Sequence, residues 1–398
     1  MSRTDDLIEA TRRRQMHLSG EILASDRPLR VLYLMYIPWN WVRARPQYLA
    51  EALTEVGCSV VVMFPSVWRR RVAVSQRGFT GETIPYRHLP FRFRLRFVYA
   101  ANRLLLKIWF ALVVRHVKHD VIWIPFPEII DYLPKHLDGL VVYDCMDDAL
   151  AFDELAPVRE RLQQLEGKLV ARADAILTSS TSLANKLTAR YGTSEKIRVV
   201  RNAFGGAILV PAGATGLATR RETRIGYVGN LVTLDREAIW VTLDRFPAIA
   251  YDLIGPAEAD MNAWRHPRVT IHGLVAHDKL AESVKDDQCL IMPYVINERV
   301  LSADSMKLYD YINLGKPIVS VWYPEIERFR PFVEFYKTPD ELVAVLDEMI
   351  ANGFPRKYTE QQRLAFLEEN SWAKRAQVVV GVLDSLIAST VSSRGTHG

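Results

Sequence analysis

Cysteine is scarce in these 398 residues: Cys58, Cys145 and Cys289 are the only three. They are odd in number, far apart and without metal-ligand spacing. That excludes a disulfide framework or a zinc site and fits a reducing compartment. Histidine does not fill the gap, because His88, His116, His119, His136, His266, His272 and His277 show no ligand spacing either. Lone histidines are more often structural. Long apolar runs are also lacking. The longest, Leu104 to Val114, is interrupted by Lys107 and falls short of the about 20 apolar residues a membrane span needs. The expectation is a chain that does not span. The first stretch, MSRTDDLIEATRRRQMHLSGE, has no apolar centre, so residues 1–27 read as a flexible arm and not as a signal peptide. Acid is nearly absent from one segment. Between Phe64 and Lys118 there are twelve Lys/Arg against Glu82 alone, a local charge of +11. The whole chain is +5, so the remainder sums to −6. Such local basic surface implies an anionic partner: lipid, nucleic acid or a phosphorylated substrate.

What is present suits a globular protein of two domains. Hydrophobic residues make up 49% and charged residues 24%, enough to build a sizeable core. Arg30 to Ile37 is a short apolar run ended by Pro38, read as a buried parallel strand. Arg45 to Leu53 follows as a helix with Pro46 in its first turn, and Cys58 to Phe64 as a second strand. This β-α-β unit implies a right-handed crossover. Further strands are expected at Val121–Ile124, Leu140–Tyr143 and Ala175–Thr178, with helices near 99–118, 154–172 and 181–191. The glycines and proline between Arg201 and Arg221 read as a linker, placed at 206–221. Beyond it the alternation restarts. Strands are expected at Arg224–Val228, Ala250–Ile254, Val269–His272, Gln288–Met292 and Ile318–Val321. A helix is expected near Ser305–Asn313, stopped by Gly315, and a last amphipathic helix over Trp372–Ala388. The domains are therefore drawn at 28–205 and 222–370, with a closing helix and tail at 371–398. Ligands of such sheets bind beyond the carboxyl ends of the strands.

The segment from Met292 to Ser320 carries the strongest chemical signal. It reads as a strand, a polar loop, a helix, a Gly-Lys-Pro turn and another strand. Ser305, Met306 and Lys307 fall at the helix N-terminus, whose N–H groups and dipole suit a pyrophosphate. Asp310 lies one turn on, on the same face, where a carboxylate can accept from ribose hydroxyls. A solvated amphipathic helix would carry the same residues, so spacing leaves both readings open.

This segment resembles the donor-binding part of GT-B glycosyltransferases, in particular the bacterial exopolysaccharide branch typified by the xanthan glucuronosyltransferase and by teichuronic-acid-type enzymes. Three other stretches agree: Trp41 to Ala50, Tyr143-Asp-Cys-Met-Asp-Asp148 and Gly226-Tyr-Val-Gly-Asn230. The resemblance implies an α/β fold of two Rossmann-like, doubly wound domains facing a central cleft. It also implies a nucleotide-sugar donor, usually a UDP-sugar, and a lipid-linked saccharide acceptor. Lys307 would neutralise the pyrophosphate, Ser305 and Met306 would contact the nucleotide, Asp310 would hold the ribose, and Tyr294 would line the pocket. Gly229 and Asn230 would let the backbone approach the diphosphate. Retaining enzymes of this fold usually carry two glutamates eight positions apart. Ser302 and Asp310 stand there instead, which favours inversion. A retaining transferase of the same fold or a silent homologue serving as an assembly partner are the alternatives.

An inverting enzyme needs a general base. Asp144, Asp147 and Asp148 follow the Val141–Tyr143 strand, where such a group belongs. The resemblance puts Asp147 first and Asp148 second; an acidic N-cap cluster is the other reading. Neither a metal nor another cofactor is expected. The basic segment pairs Arg92, Arg94, Arg96, Arg103 and Lys107 with Phe97 and Trp109 in a pattern suited to a membrane interface. An ordinary core helix with a solvated face is the alternative. No nucleic-acid module is recognisable. The expected location is the cytoplasmic face of the cell membrane, peripherally bound.

Overall fold

The computed structural model describes residues 27–40, 43–66, 79–90, 96–209, 222–256, 261–276 and 279–395. They form two compact units, one of residues 27–202 with 371–395, the other of 203–370.

The first unit is built on β1 (Arg30–Leu34), α1 (Arg45–Glu55), β2 (Ser59–Ser66), β3 (Glu82–Arg87), α2 (Arg96–His116), β4 (Val121–Ile124), β5 (Leu140–Cys145), α3 (Arg159–Arg172), β6 (Ala175–Thr178), α4 (Thr181–Tyr191) and β7 (Ile197–Val199). All seven strands pair in parallel in the order β3-β2-β1-β4-β5-β6-β7. The central strands are continuous apolar runs because both faces of a parallel sheet are covered. Leu106, Phe110 and Val113 of α2 join Leu32, Ile122 and Val141 of the sheet in one core. The helix expected from 154 starts only at Arg159. Pro157 holds the preceding Asp153–Val158 in 3-10 turns.

The second unit holds β8 (Thr223–Val228), α5 (Arg236–Arg245), β9 (Ile249–Ile254), β10 (Val269–Gly273), α6 (Leu280–Ser283), β11 (Cys289–Met292), α7 (Glu298–Leu301), α8 (Met306–Leu314), β12 (Ile318–Val321), β13 (Glu334–Tyr336), α9 (Pro339–Ala351) and α10 (Glu360–Glu369). Its six parallel strands run β10-β9-β8-β11-β12-β13. Then α11 (Trp372–Gly395) returns to the first unit, where Trp372 stacks on Tyr48 of α1 at 5.7 Å. Gly315 ends α8 in the left-handed conformation, φ 69°. That confirms the stop the sequence suggested.

Both sheets reverse their strand order once, the first between β1 and β4, the second between β8 and β11. In sheets of this kind the loops leaving such strands diverge and open a crevice at the carboxyl edge. Of the expected linker, residues 210–221 lie outside the described residues, as do 1–26. Its start is not a loose tether: Ile208 is fully buried in the second unit's core, and Leu209 accepts a hydrogen bond from the buried Arg363 at 2.7 Å.

Candidate functional site

The reversal between β8 and β11 gathers most of the expected donor residues. Gly229 follows β8 with φ +154°, a backbone that side-chain-bearing residues rarely adopt. A Cβ there would lie 2.0 Å from Lys307 Cε and 3.0 Å from its Nζ. The missing side chain is thus the space Lys307 occupies. Gly255, after the neighbouring β9, packs as closely, since a Cβ on it would sit 1.9 Å from the Gly229 carbonyl oxygen. Lys307 Nζ stands 5.4 Å from the centre of the Tyr294 ring, and Tyr294 follows β11, the adjacent strand. Burial raises the phenol pKa of both Tyr294 and Tyr227, so both stay neutral and shape the site without adding charge.

Ser305 is the N-cap of α8, yet its hydroxyl donates to Met292 Sδ at 3.2 Å and does not cap the helix. Met306 and Lys307 form the first turn, half-buried, and Asp310 is half-buried one turn on. Asn230 is occupied locally: its Oδ1 accepts from Val232 N at 3.0 Å and caps a short turn. Ser302 is buried and donates to Glu298 O at 3.0 Å, a structural use of the position. Buried Asp304 and half-buried Arg328, not foreseen from the sequence, form an ion pair that also engages Tyr309 and fixes the chain just before α8.

In the first unit the three candidate bases separate. Asp144 is fully buried. It accepts from Arg45 Nε at 3.0 Å and Nη2 at 2.8 Å, and from Trp123 Nε1 at 3.3 Å. Arg45 also donates to Val200 O at 2.7 Å. A carboxylate so engaged is structural, and Asp144 drops out. Asp148 is buried too, with Arg190 Nη2 at 2.8 Å and Lys186 Nζ at 3.1 Å. Burial alone would raise its pKa; the hydrogen bonds from Arg190 and Lys186 outweigh that and hold it below the ordinary value. A carboxylate held by two cations is a weak proton acceptor, which weighs against Asp148, the second choice for the base. Its side chain makes no N-cap bond either. Asp147 is half-buried at the carboxyl edge.

The basic helix divides its charges. Arg103 donates to Asp131 through Nε at 3.1 Å, while Lys107 lies 3.7 Å from the same carboxylate and stays exposed. The outward face around Lys107 is otherwise largely apolar: Phe97 is 72% exposed and Leu104 61%, with Leu105, Ile108, Trp109 and Leu112 exposed beside them. Arg92 and Arg94 lie outside the described residues, and the Arg96 side chain does too. The 20 residues Phe97–His116 are, by length and composition, enough to cross a membrane, unlike the shorter run read from the sequence. Their inner face nevertheless completes the core over the sheet, a position that a helix crossing a bilayer would have to give up.

Residues 42–203 match the family model described as a glycosyl transferase 4-like domain. No curated protein matches the chain. Among solved structures it is similar to sucrose-phosphate synthase from Thermosynechococcus elongatus, at 13% identity over 91% of this chain and 100% of that one, with a TM-score of 0.69. It is likewise similar to the lipopolysaccharide outer core galactosyltransferase WaaB in its apo form, at 13% identity over 91% and 100%, TM-score 0.61. HepE from Anabaena, solved in complex with UDP and glucose, matches at 13% identity over 92% and 100%, TM-score 0.55. The fold is GT-B, and the glycosyltransferase family match lies in residues 42–203.

Proposed function

We propose that the chain transfers a sugar from a nucleoside-diphosphate sugar, a UDP-sugar first of all, to a saccharide carried on a polyprenyl diphosphate. The setting would be exopolysaccharide or other cell-surface polysaccharide synthesis, as in the xanthan- and teichuronic-type enzymes. The observation that carries this reading is Lys307, lodged against the Cα of Gly229 and beside Tyr294 at the strand reversal of the second sheet. A full positive charge, a helix N-terminus and a close glycine turn meet there. That combination suits a diphosphate. HepE, of like fold, has been solved with UDP and with UDP-glucose, which supports UDP as the first donor to try.

In the proposed step Asp147 takes the proton from an acceptor hydroxyl. The freed oxygen attacks the anomeric carbon from the face opposite the diphosphate, the bond to the diphosphate breaks, and the sugar is inverted. Lys307 and the α8 N-terminus receive the charge that grows on the leaving UDP, so the step is written without a metal. Ser302 and Asp310, standing where a retaining enzyme usually has glutamates, support inversion. The outward face of α2 supports a membrane-bound acceptor. Apolar side chains there would enter an anionic bilayer, with the exposed Arg115 and Lys118 near its headgroups.

A thermal-shift panel of UDP-, GDP- and dTDP-sugars tests the reading. Ligand at 100 times its Kd stabilises by about 2.7 kcal/mol, so the true donor should raise the melting temperature well above the others. A panel in which no nucleotide sugar shifts it would defeat the proposal.

A further inference from the structure

The strand reversal in the first sheet has its own occupants. Tyr36 follows β1 and Phe126 follows β4, the two strands between which the order reverses. Their rings stack with centroids 4.7 Å apart and planes 19° apart. Three residues earlier in each strand, Tyr33 and Trp123 make a similar stack, 5.4 Å and 19°, with no exposed surface. That inner pair is core. The outer pair rests on the core but stays partly exposed at the carboxyl edge. Asp147 emerges at the same edge from β5, the strand next to β4, and adjacent strands lie about 4.8 Å apart.

We propose that Tyr36 and Phe126 form a stacking platform for a pyranose ring of the acceptor saccharide, at the same sheet edge as the group that would deprotonate it. The inference deepens the glycosyltransferase reading and rests on it. A pyranose with equatorial hydroxyls presents a face of C–H bonds. Those hydrogens carry slight positive charge and pack on the negative face of an aromatic ring. Polar hydroxyls around the ring's rim remain free for the edge loops and for Asp147. A platform of two rings in one stack is rigid, since each holds the other's orientation, and it costs little entropy to engage. It selects a flat sugar face, not a charge or a lipid chain. Crevices at strand reversals are where sheets of this kind bind ligands, and the second sheet uses its own reversal for the proposed donor.

Saturation-transfer NMR on the full chain tests this, with UDP present and with methyl β-D-glucopyranoside, methyl β-D-galactopyranoside and cellobiose as probes. Wild-type protein is expected to transfer saturation to the ring C–H protons of at least one sugar. Phe126→Leu and Tyr36→Leu should each weaken that sugar's binding about 2- to 12-fold, and Tyr36→Phe, which keeps the ring, should restore it. Melting curves identify any variant that has lost its fold, and either leucine variant alone suffices. Sugar signals that persist unchanged in a well-folded leucine variant would overturn the platform. So would a wild-type protein that gives UDP signals but none from any of the three sugars. Missing UDP signals would instead count against the donor reading, leaving the platform to be judged on the sugar signals.

Discussion

Asp147 and Asp148 are neighbours in sequence with different surroundings, and that difference sets their expected behaviour. Asp148 is neutralised by Lys186 and Arg190, so Asp148→Asn should lower the melting temperature by leaving two cations without their carboxylate. Asp147→Asn should cut transfer about 10²- to 10⁴-fold, the usual cost of losing a general base, with UDP affinity near wild type. Loss of transfer in Asp148→Asn with activity kept in Asp147→Asn would move the base by one residue. A second carboxylate makes a prediction about pH. Asp287 is buried beside Gly226, in the same group as Asp252, Arg224 and His272. Burial first, and the nearby Asp252 next, push its pKa up to about 8. An unfolded aspartate loses its proton near pH 4. Between about pH 4 and pH 8 the folded chain therefore keeps a proton that the unfolded chain releases, and stability falls as pH rises through that window. Asp287→Asn removes this loss. Its melting temperature should exceed wild type at pH 8 and converge on it towards pH 4. A constant gap between the two across that range would refute the assignment.

At the scale of single elements, α2 shows what periodicity gives and what it withholds. Its helical spacing and mixed apolar and basic character were legible, and the helix expected near 99–118 is observed at Arg96–His116. Which stripe faces inward was not legible. The sequence offers one line with Arg103 and Lys107, with Leu105, Trp109 and Leu112 elsewhere. The face that turns inward is a third, Leu106, Phe110 and Val113, and Asp131, 28 residues beyond Arg103, holds that arginine beside the protein. The consequence can be measured by flotation on phosphatidylglycerol vesicles. Leu104→Ser with Ile108→Ser should abolish co-flotation at moderate salt, where screening weakens charge but not apolar insertion. Arg103→Ser should change it little. Loss of flotation with Arg103→Ser alone would return the helix to an electrostatic role. The donor helix α8 was read more completely, because its start, its Lys307 and its Gly315 stop are all local signals. The Gly229 contact was only partly visible. A glycine after a strand suggests a close approach, but only the fold reveals that Lys307 is what approaches.

For the molecule as a whole, the central strands of both sheets were legible because burial on two faces writes them as continuous apolar runs. The edges were not. β3 carries Pro85 and charged residues, as an edge strand tolerates, and β7 and β13 have only three residues each. The helices α9 and α10 also went unforeseen, although Thr338 and Thr359 cap them with their side chains. The buried Arg45–Asp144 pair joins residues 99 apart, a distance at which no local pattern pairs them. Two parallel sheets, each with one strand reversal, frame the molecule, and binding of a nucleoside diphosphate at the second reversal through Lys307 is what the proposed activity depends on. Calorimetric titration of UDP into wild-type protein and Lys307→Ala tests that binding. Saturable binding to wild type is expected, with a Kd weakened about 10- to 150-fold in the variant, the worth of one charge-assisted phosphate contact, and melting unchanged in the absence of ligand. Equal affinity for UDP in wild type and a well-folded Lys307→Ala would contradict it.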